Sequence, residues 1–183
     1  MLIAREDERM ALEREYERDQ ASFVVVYGRR RIGKTSLLVD FLKDKCGVYF
    51  LATEESEAQN RATFKGVVAD FLDDDLIRHA SFDRWDDLFD RLTQDVSQRI
   101  VIVLDEFQYL GKANNAFLSV LQRIWDSLLR ERNVMLVLCG SLISLMESQV
   151  LSYNSPLYGR RTAQVRMKQI PFRFYRDFFT KEI

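Results

Sequence analysis

The 183-residue chain contains one histidine, two cysteines and two prolines. His79 with Cys46 and Cys139, neither of which sits in a CxxC, cannot assemble a Cys/His zinc site or a disulfide framework, so a reducing, cytoplasmic setting is expected. Pro156 and Pro171 build no Pro/Gly-rich linker, and no repeat or low-complexity tract divides the chain. One domain over 1–183 is expected, its first 20 residues holding a helix. The longest strongly apolar stretch, Val134 to Met146, is interrupted by Gly140, Ser141 and Ser144 and falls short of the roughly 20 residues that a bilayer span needs. The N-terminus turns acidic within six residues and lacks the basic-then-apolar order of a secretion signal. No membrane partner is expected. An excess of charge is also missing: 27 Lys and Arg offset 28 Asp and Glu, which excludes a global field for coating nucleic acid. Locally the balance shifts, because residues 1–20 carry seven acids against four Arg whereas 151–183 carry seven bases against two acids. A polyanion would therefore favour the C-terminal end.

The hydrophobic residues, 47% of the chain, fall into periodic blocks. Residues 5–19 read as a charged helix with a narrow apolar stripe at Leu12 and Tyr16. Phe23 to Tyr27, Val48 to Ala52, Ile100 to Leu104 and Val134 to Cys139 are short apolar runs of the kind that form strands buried on both faces. Helical spacing occupies Ser36 to Lys45, Glu57 to Leu72, Trp85 to Val96 and Ala116 to Arg130. Ala163 to Lys168 alternates as a fifth strand, and another helix starts near Arg173. Apolar strands alternating with helices imply an α/β fold, a parallel sheet covered on both sides. Trp85 and Trp125 lie at core spacing, His79 reads as a surface residue, and Asp73-Asp74-Asp75 as a solvated helix end.

Between the first strand and the next helix lies Gly28-Arg29-Arg30-Arg31-Ile32-Gly33-Lys34-Thr35, a full GxxxxGK[ST] phosphate loop, followed by Ser36. Glycines at both ends let successive backbone N–H groups curl into a nest for phosphate oxygens at a helix N-terminus. Lys34 would supply charge to the outer phosphates and Thr35 a hydroxyl to Mg²⁺. The three loop arginines are free for a surface or nucleic-acid contact on this reading. Asp105 ends the third strand, where an open α/β sheet binds its ligands, and is the expected second magnesium residue. Glu106 beside it would activate a water for attack on the terminal phosphorus. Ser141 emerges at the end of the fourth strand, either as a sensor of the terminal phosphate or as a helix cap. Arg160 or Arg161 would stabilise charge on the transferring phosphate, in the same subunit or a neighbour.

The strings VVVYGRRRIGKTSLL, IVIVLDEFQYL, LQRIWDSLL leading into VMLVLCGSLISLM, and LSYNSPLYGRRT together resemble the archaeal-type ATPase family, P-loop ATPases of the STAND/AAA superfamily. The resemblance covers nearly the whole chain. It implies a RecA-like (ASCE) three-layer sandwich with parallel sheet order 5-1-4-3-2. It assigns Gly28 to Thr35 to the phosphates, Asp105 to magnesium, Glu106 to water activation, Ser141 to the first sensor, and Arg160 or Arg161 to an arginine finger or sensor. It also points to base contacts near Ile3 to Glu6, where the family reads like GREEEL and this chain has Ala4-Arg5-Glu6-Asp7-Glu8. Family members continue into a helical lid or winged-helix region, so the chain reads as an ATPase core without that region.

The leading expectation is an ATPase that binds ATP with Mg²⁺ and hydrolyses it with a Glu-activated water. Two alternatives stay open: a nucleotide-dependent signalling or assembly switch exchanging ADP for ATP, and a DNA-associated ATPase with little turnover of its own. Expected partners are ATP and ADP, a second copy of the chain through an arginine finger, and DNA or another protein.

Overall fold

Phe23, Val25 and Tyr27 alternate along one strand with Val24 and Val26, and none of the five is more than 3% exposed. Side chains on a strand point alternately to opposite faces, so both faces of the sheet must be covered. The computed structural model of the protein describes residues 5–170. The expected helix near Arg173 and the expected base contacts at Ile3 and Ala4 lie outside the described residues.

Five parallel strands, β1 (Ser22–Tyr27), β2 (Gly47–Leu51), β3 (Ile100–Asp105), β4 (Val134–Gly140) and β5 (Ala163–Arg166), form one sheet in the order β2-β3-β4-β1-β5. Read from the other edge this is the expected 5-1-4-3-2. On one face α1 (Glu6–Tyr16) and α2 (Lys34–Leu42) bury Leu12, Leu37, Leu38 and Phe41 against Val24, Val26, Val101, Val103 and Val137. On the other, α3 (Glu57–Leu72), α5 (Trp85–Thr93) and α7 (Ala116–Ser127) pack Phe64, Phe89, Trp85, Phe117 and Trp125 against Phe23, Val25, Phe50, Ile102 and Leu136. Each fully buried aliphatic or Phe side chain adds roughly 1.5–3 kcal/mol of hydrophobic driving force. The helices hold the sheet by that burial rather than by intrinsic propensity.

Local chemistry sets the boundaries. Ser56 opens α3 with a capping box, its hydroxyl accepting from the Gln59 N–H while the Gln59 side chain accepts from the Ser56 N–H. The acidic triplet ends α3 and also starts another helix. Asp73 closes α3 in the left-handed conformation, φ 50°, and the Asp74 carboxylate caps α4 (Asp75–His79), with His79 exposed. Hydropathy spacing missed α4, the one-and-a-half-turn α6 (Gln108–Ala113) and the still shorter α8 (Ile143–Met146), because segments this short show no helical period. Among the described residues, no helix is long and apolar enough to cross a membrane.

At the amino ends of the strands Arg99, 7% exposed, is the fastening. Its guanidinium donates to the carbonyls of Arg18 (2.8 Å), Gln20 (3.1 Å) and Glu15 (3.2 Å), to Ser22 Oγ (2.8 Å) and to Asn133 Oδ1 (3.1 Å). One side chain thus ties the end of α1 to the starts of β1, β3 and β4. Arg99→Ala strips those carbonyls of their donor, and urea denaturation should show a loss of roughly 2–4 kcal/mol. A loss near zero would mean that water replaces the guanidinium.

Candidate functional site

At the carboxyl edge β1 runs into the glycine loop. Gly28 is pressed against the exit of β5, where an added Cβ would lie 2.5 Å from the Met167 carbonyl oxygen. Arg31 (φ 63°) and Gly33 (φ 91°) are both left-handed, and the N–H of Leu37 bonds the Gly33 carbonyl at 3.0 Å. The loop therefore curls and then opens directly into α2. A helix N-terminus with unpaired amides, preceded by such a curl, is an anion cradle. Lys34 is 5% exposed, and its ammonium donates to the Arg29 carbonyl at 2.9 Å, spanning the cradle. Thr35 and Ser36 are exposed on the first turn of α2, while Arg29 and Arg31 project into solvent.

Asp105, at the end of β3, is fully buried. Its Oδ2 accepts from Thr35 Oγ1 (2.8 Å) and Tyr49 Oη (2.5 Å), and its Oδ1 from the Glu106 N–H (2.8 Å). Burial, reinforced by the hydrogen bond to this carboxylate, pushes the Tyr49 phenol up, so it stays protonated and donating. A carboxylate and a hydroxyl 2.8 Å apart are hard oxygen donors suited to magnesium. Among the described residues no group of three or more His, Cys, Asp and Glu could hold a metal, so a cation here would draw most ligands from phosphate and water.

Glu106 follows with φ 51°, a conformation that costs a non-glycine residue about 1 kcal/mol and is found at functional sites. Its Oε2 accepts from the Ser141 hydroxyl at 2.7 Å and from the Gln108 amide. Ser141 is in turn approached by Arg30 Nε at 3.4 Å, while Arg30 Nη2 donates to the Tyr109 hydroxyl at 2.7 Å. One of the loop arginines is thus engaged with the carboxyl ends of β3 and β4. Gly140 makes room for this cluster, since a Cβ there would collide with Met146 and lie 2.5 Å from Gln108 Oε1.

Gly28 to Thr35, Asp105, Glu106 and Ser141 are therefore gathered at one edge. Arg160 and Arg161 are not. Thr162, next in the chain, bonds the Phe23 carbonyl at the start of β1, which leaves about 16 Å of strand between these arginines and the loop. Arg160 is clamped to Asp126 (Nε–Oδ1 2.9 Å, Nη2–Oδ2 2.6 Å) and to the Pro156 carbonyl (2.7 Å). The Arg161 guanidinium lies 5.8 Å from the Tyr158 ring centroid. In this structure neither arginine lies with the loop, Asp105, Glu106 and Ser141. Sequence reasoning missed Tyr49, Gln108 and the engagement of Arg30, since a tyrosine in an apolar strand and a polar pair after DE have no distinguishing spacing.

The sequence profile of an ATPase domain predominantly from Archaea matches residues 2–182. An uncharacterised protein of Methanocaldococcus jannaschii is 36% identical over 183 residues, all of this chain and 39% of that protein. A second from the same organism, named as an uncharacterised ATP-binding protein, is 42% identical over 45 residues, 25% of this chain and 76% of that protein. Among solved structures, a Walker-type ATPase of Pyrococcus abyssi superposes with TM-score 0.72 at 22% identity, covering 97% of this chain and 57% of that one. The Aeropyrum pernix ORC1 protein, solved in complex with DNA, gives 0.68 at 17% identity, covering 97% and 48%. At these identities the superpositions establish the fold. The chain spans only 39% of the full-length relative and about half of either structure.

Cys139, on β4, is fully buried, and burial together with the neighbouring Asp105 carboxylate pushes its thiol well up. In the folded protein at pH 8 iodoacetamide should label the partly exposed Cys46 and spare Cys139 until denaturant is added, as read by peptide mass spectrometry. Equal labelling of both would contradict the sealed strand end.

Proposed function

The chain belongs to the family of ATPase domains found predominantly in Archaea, and from that premise we propose that it binds ATP with magnesium at the carboxyl edge and hydrolyses it with a water activated by Glu106. The observation carrying the proposal is the convergence of Thr35 and Asp105 at 2.8 Å with Glu106 and Ser141 at 2.7 Å beside a curled glycine loop. ATP-binding ATPase is the general character of the family.

The amides of the loop and the Lys34 ammonium bind the β- and γ-phosphates. Thr35 and Asp105 would hold magnesium, which when bound supplies positive charge against the phosphate oxygens. Glu106 takes the proton of a water whose oxygen bonds to the terminal phosphorus as the bond to the β–γ bridging oxygen breaks, leaving ADP and inorganic phosphate. Ser141 and Gln108 hold the Glu106 carboxylate, so Ser141 is suited to sense the terminal phosphate by exchanging one oxygen partner for another. Because Arg160 and Arg161 sit at the opposite edge, an arginine finger would act on a neighbouring copy, which makes turnover depend on assembly. The basic charge of 151–183, seven bases against two acids, supports DNA or an acidic protein as a further partner.

Isothermal titration should show ATP binding by the wild type and by Glu106→Gln, and none by Lys34→Ala. Phosphate release by Glu106→Gln should fall by a factor of about 10²–10⁴. Wild-type turnover in Glu106→Gln would remove that residue from the chemistry. For the trans arrangement, Lys34→Ala mixed with Arg161→Ala should recover turnover that neither shows alone, whereas full activity of Arg161→Ala by itself would rule out this arginine.

A further inference from the structure

A cradle made of N–H groups has to send its carbonyls elsewhere, and a carbonyl turned from water needs a donor of its own. Ile32 sits between the left-handed Arg31 and Gly33, and its carbonyl oxygen accepts from Arg5 Nη2 at 2.7 Å. The same nitrogen donates its other proton to the Lys168 carbonyl at 2.9 Å, just past β5, and Nη1 pairs with Glu8 at 2.7 Å. Arg5 is 4% exposed. One planar guanidinium thus fastens the start of α1, the middle of the glycine loop and the exit of β5, where Gly28 already touches Met167. Charge-assisted bonds of this kind are about twice as strong as neutral ones and directionally stiff.

We propose that Arg5 is a positioning residue for phosphate binding: by holding the Ile32 carbonyl outward it presets the concave face of the loop, so that phosphate meets amides already aimed at it. The ordering of the loop is then met in folding instead of being drawn from binding energy. The inference rests on the phosphate-binding role proposed for the loop, and it concerns the polyphosphate tail rather than the base.

The test is titration of the full chain with magnesium tripolyphosphate and with magnesium ATP, comparing wild type, Arg5→Met and Arg5→Lys, with the folded fraction followed by circular dichroism. Folded Arg5→Met should lose about tenfold or more in affinity for both ligands by the same factor, equivalent to ~1.4 kcal/mol. Saturating ATP should restore its kcat, so that the effect appears in KM. Arg5→Lys, which keeps the charge but cannot bridge two carbonyls in one plane, should recover only part of the loss. Weakening confined to ATP would make Arg5 a base contact and overturn the inference, as would unchanged affinity for both ligands. Should Arg5→Met not fold, undiminished tripolyphosphate binding by Arg5→Lys overturns it equally. A wild type that binds neither ligand would instead defeat the phosphate-binding reading itself.

Discussion

A parallel sheet has to deliver the carboxyl end of every strand to the same edge, and the site depends on that constraint. β1, β3 and β4 are adjacent, so the glycine loop, Asp105-Glu106 and Ser141 emerge beside one another although more than a hundred residues separate the first from the last. The buried Asp105 carboxylate is where the edge is locked. Left bare it would destabilise the fold by several kcal/mol, but hydroxyls from α2 and β2 and a backbone amide satisfy it. The group that would hold a cation is thereby also the one that fixes α2 and its loop to the sheet.

Glu106 extends this network outward. Its left-handed backbone turns the carboxylate toward Ser141 and Gln108 instead of continuing the strand direction of Asp105. Arg30 reaches across from the loop to Ser141 and Tyr109, so the glycine loop and the acid beside it are linked through side chains. Ser141 stands at the centre of this linkage, donating to Glu106 while accepting from Arg30.

Two arginines frame the molecule at opposite edges. Arg99 gathers the turn after α1 and the starts of three strands, while Arg5 gathers the loop and the end of β5. Both are buried, and both donate chiefly to backbone carbonyls that regular structure leaves unpaired. Arg160, by contrast, is partly exposed, and its pairing with Asp126 lies at the amino edge.

What the amino-acid order determined by itself was local: four runs of apolar, β-branched residues too short for helices, and a GxxxxGK[ST] string whose glycine and lysine positions are dictated by backbone geometry. From these the α/β class, the strand-to-loop-to-helix context and the acidic pair after β3 were legible, because burial on both faces leaves a composition signature that needs no partner to be read. Tertiary structure alone decided which side chains meet. Tyr49 reaches Asp105 because β2 pairs with β3, Arg5 reaches Ile32 because α1 folds back over the loop, and Arg160 is carried to the far edge because β5 runs parallel to β1. Contacts between residues far apart in the chain depend on strand order and direction, and those are set by how all the apolar faces are buried together rather than by any segment's own pattern.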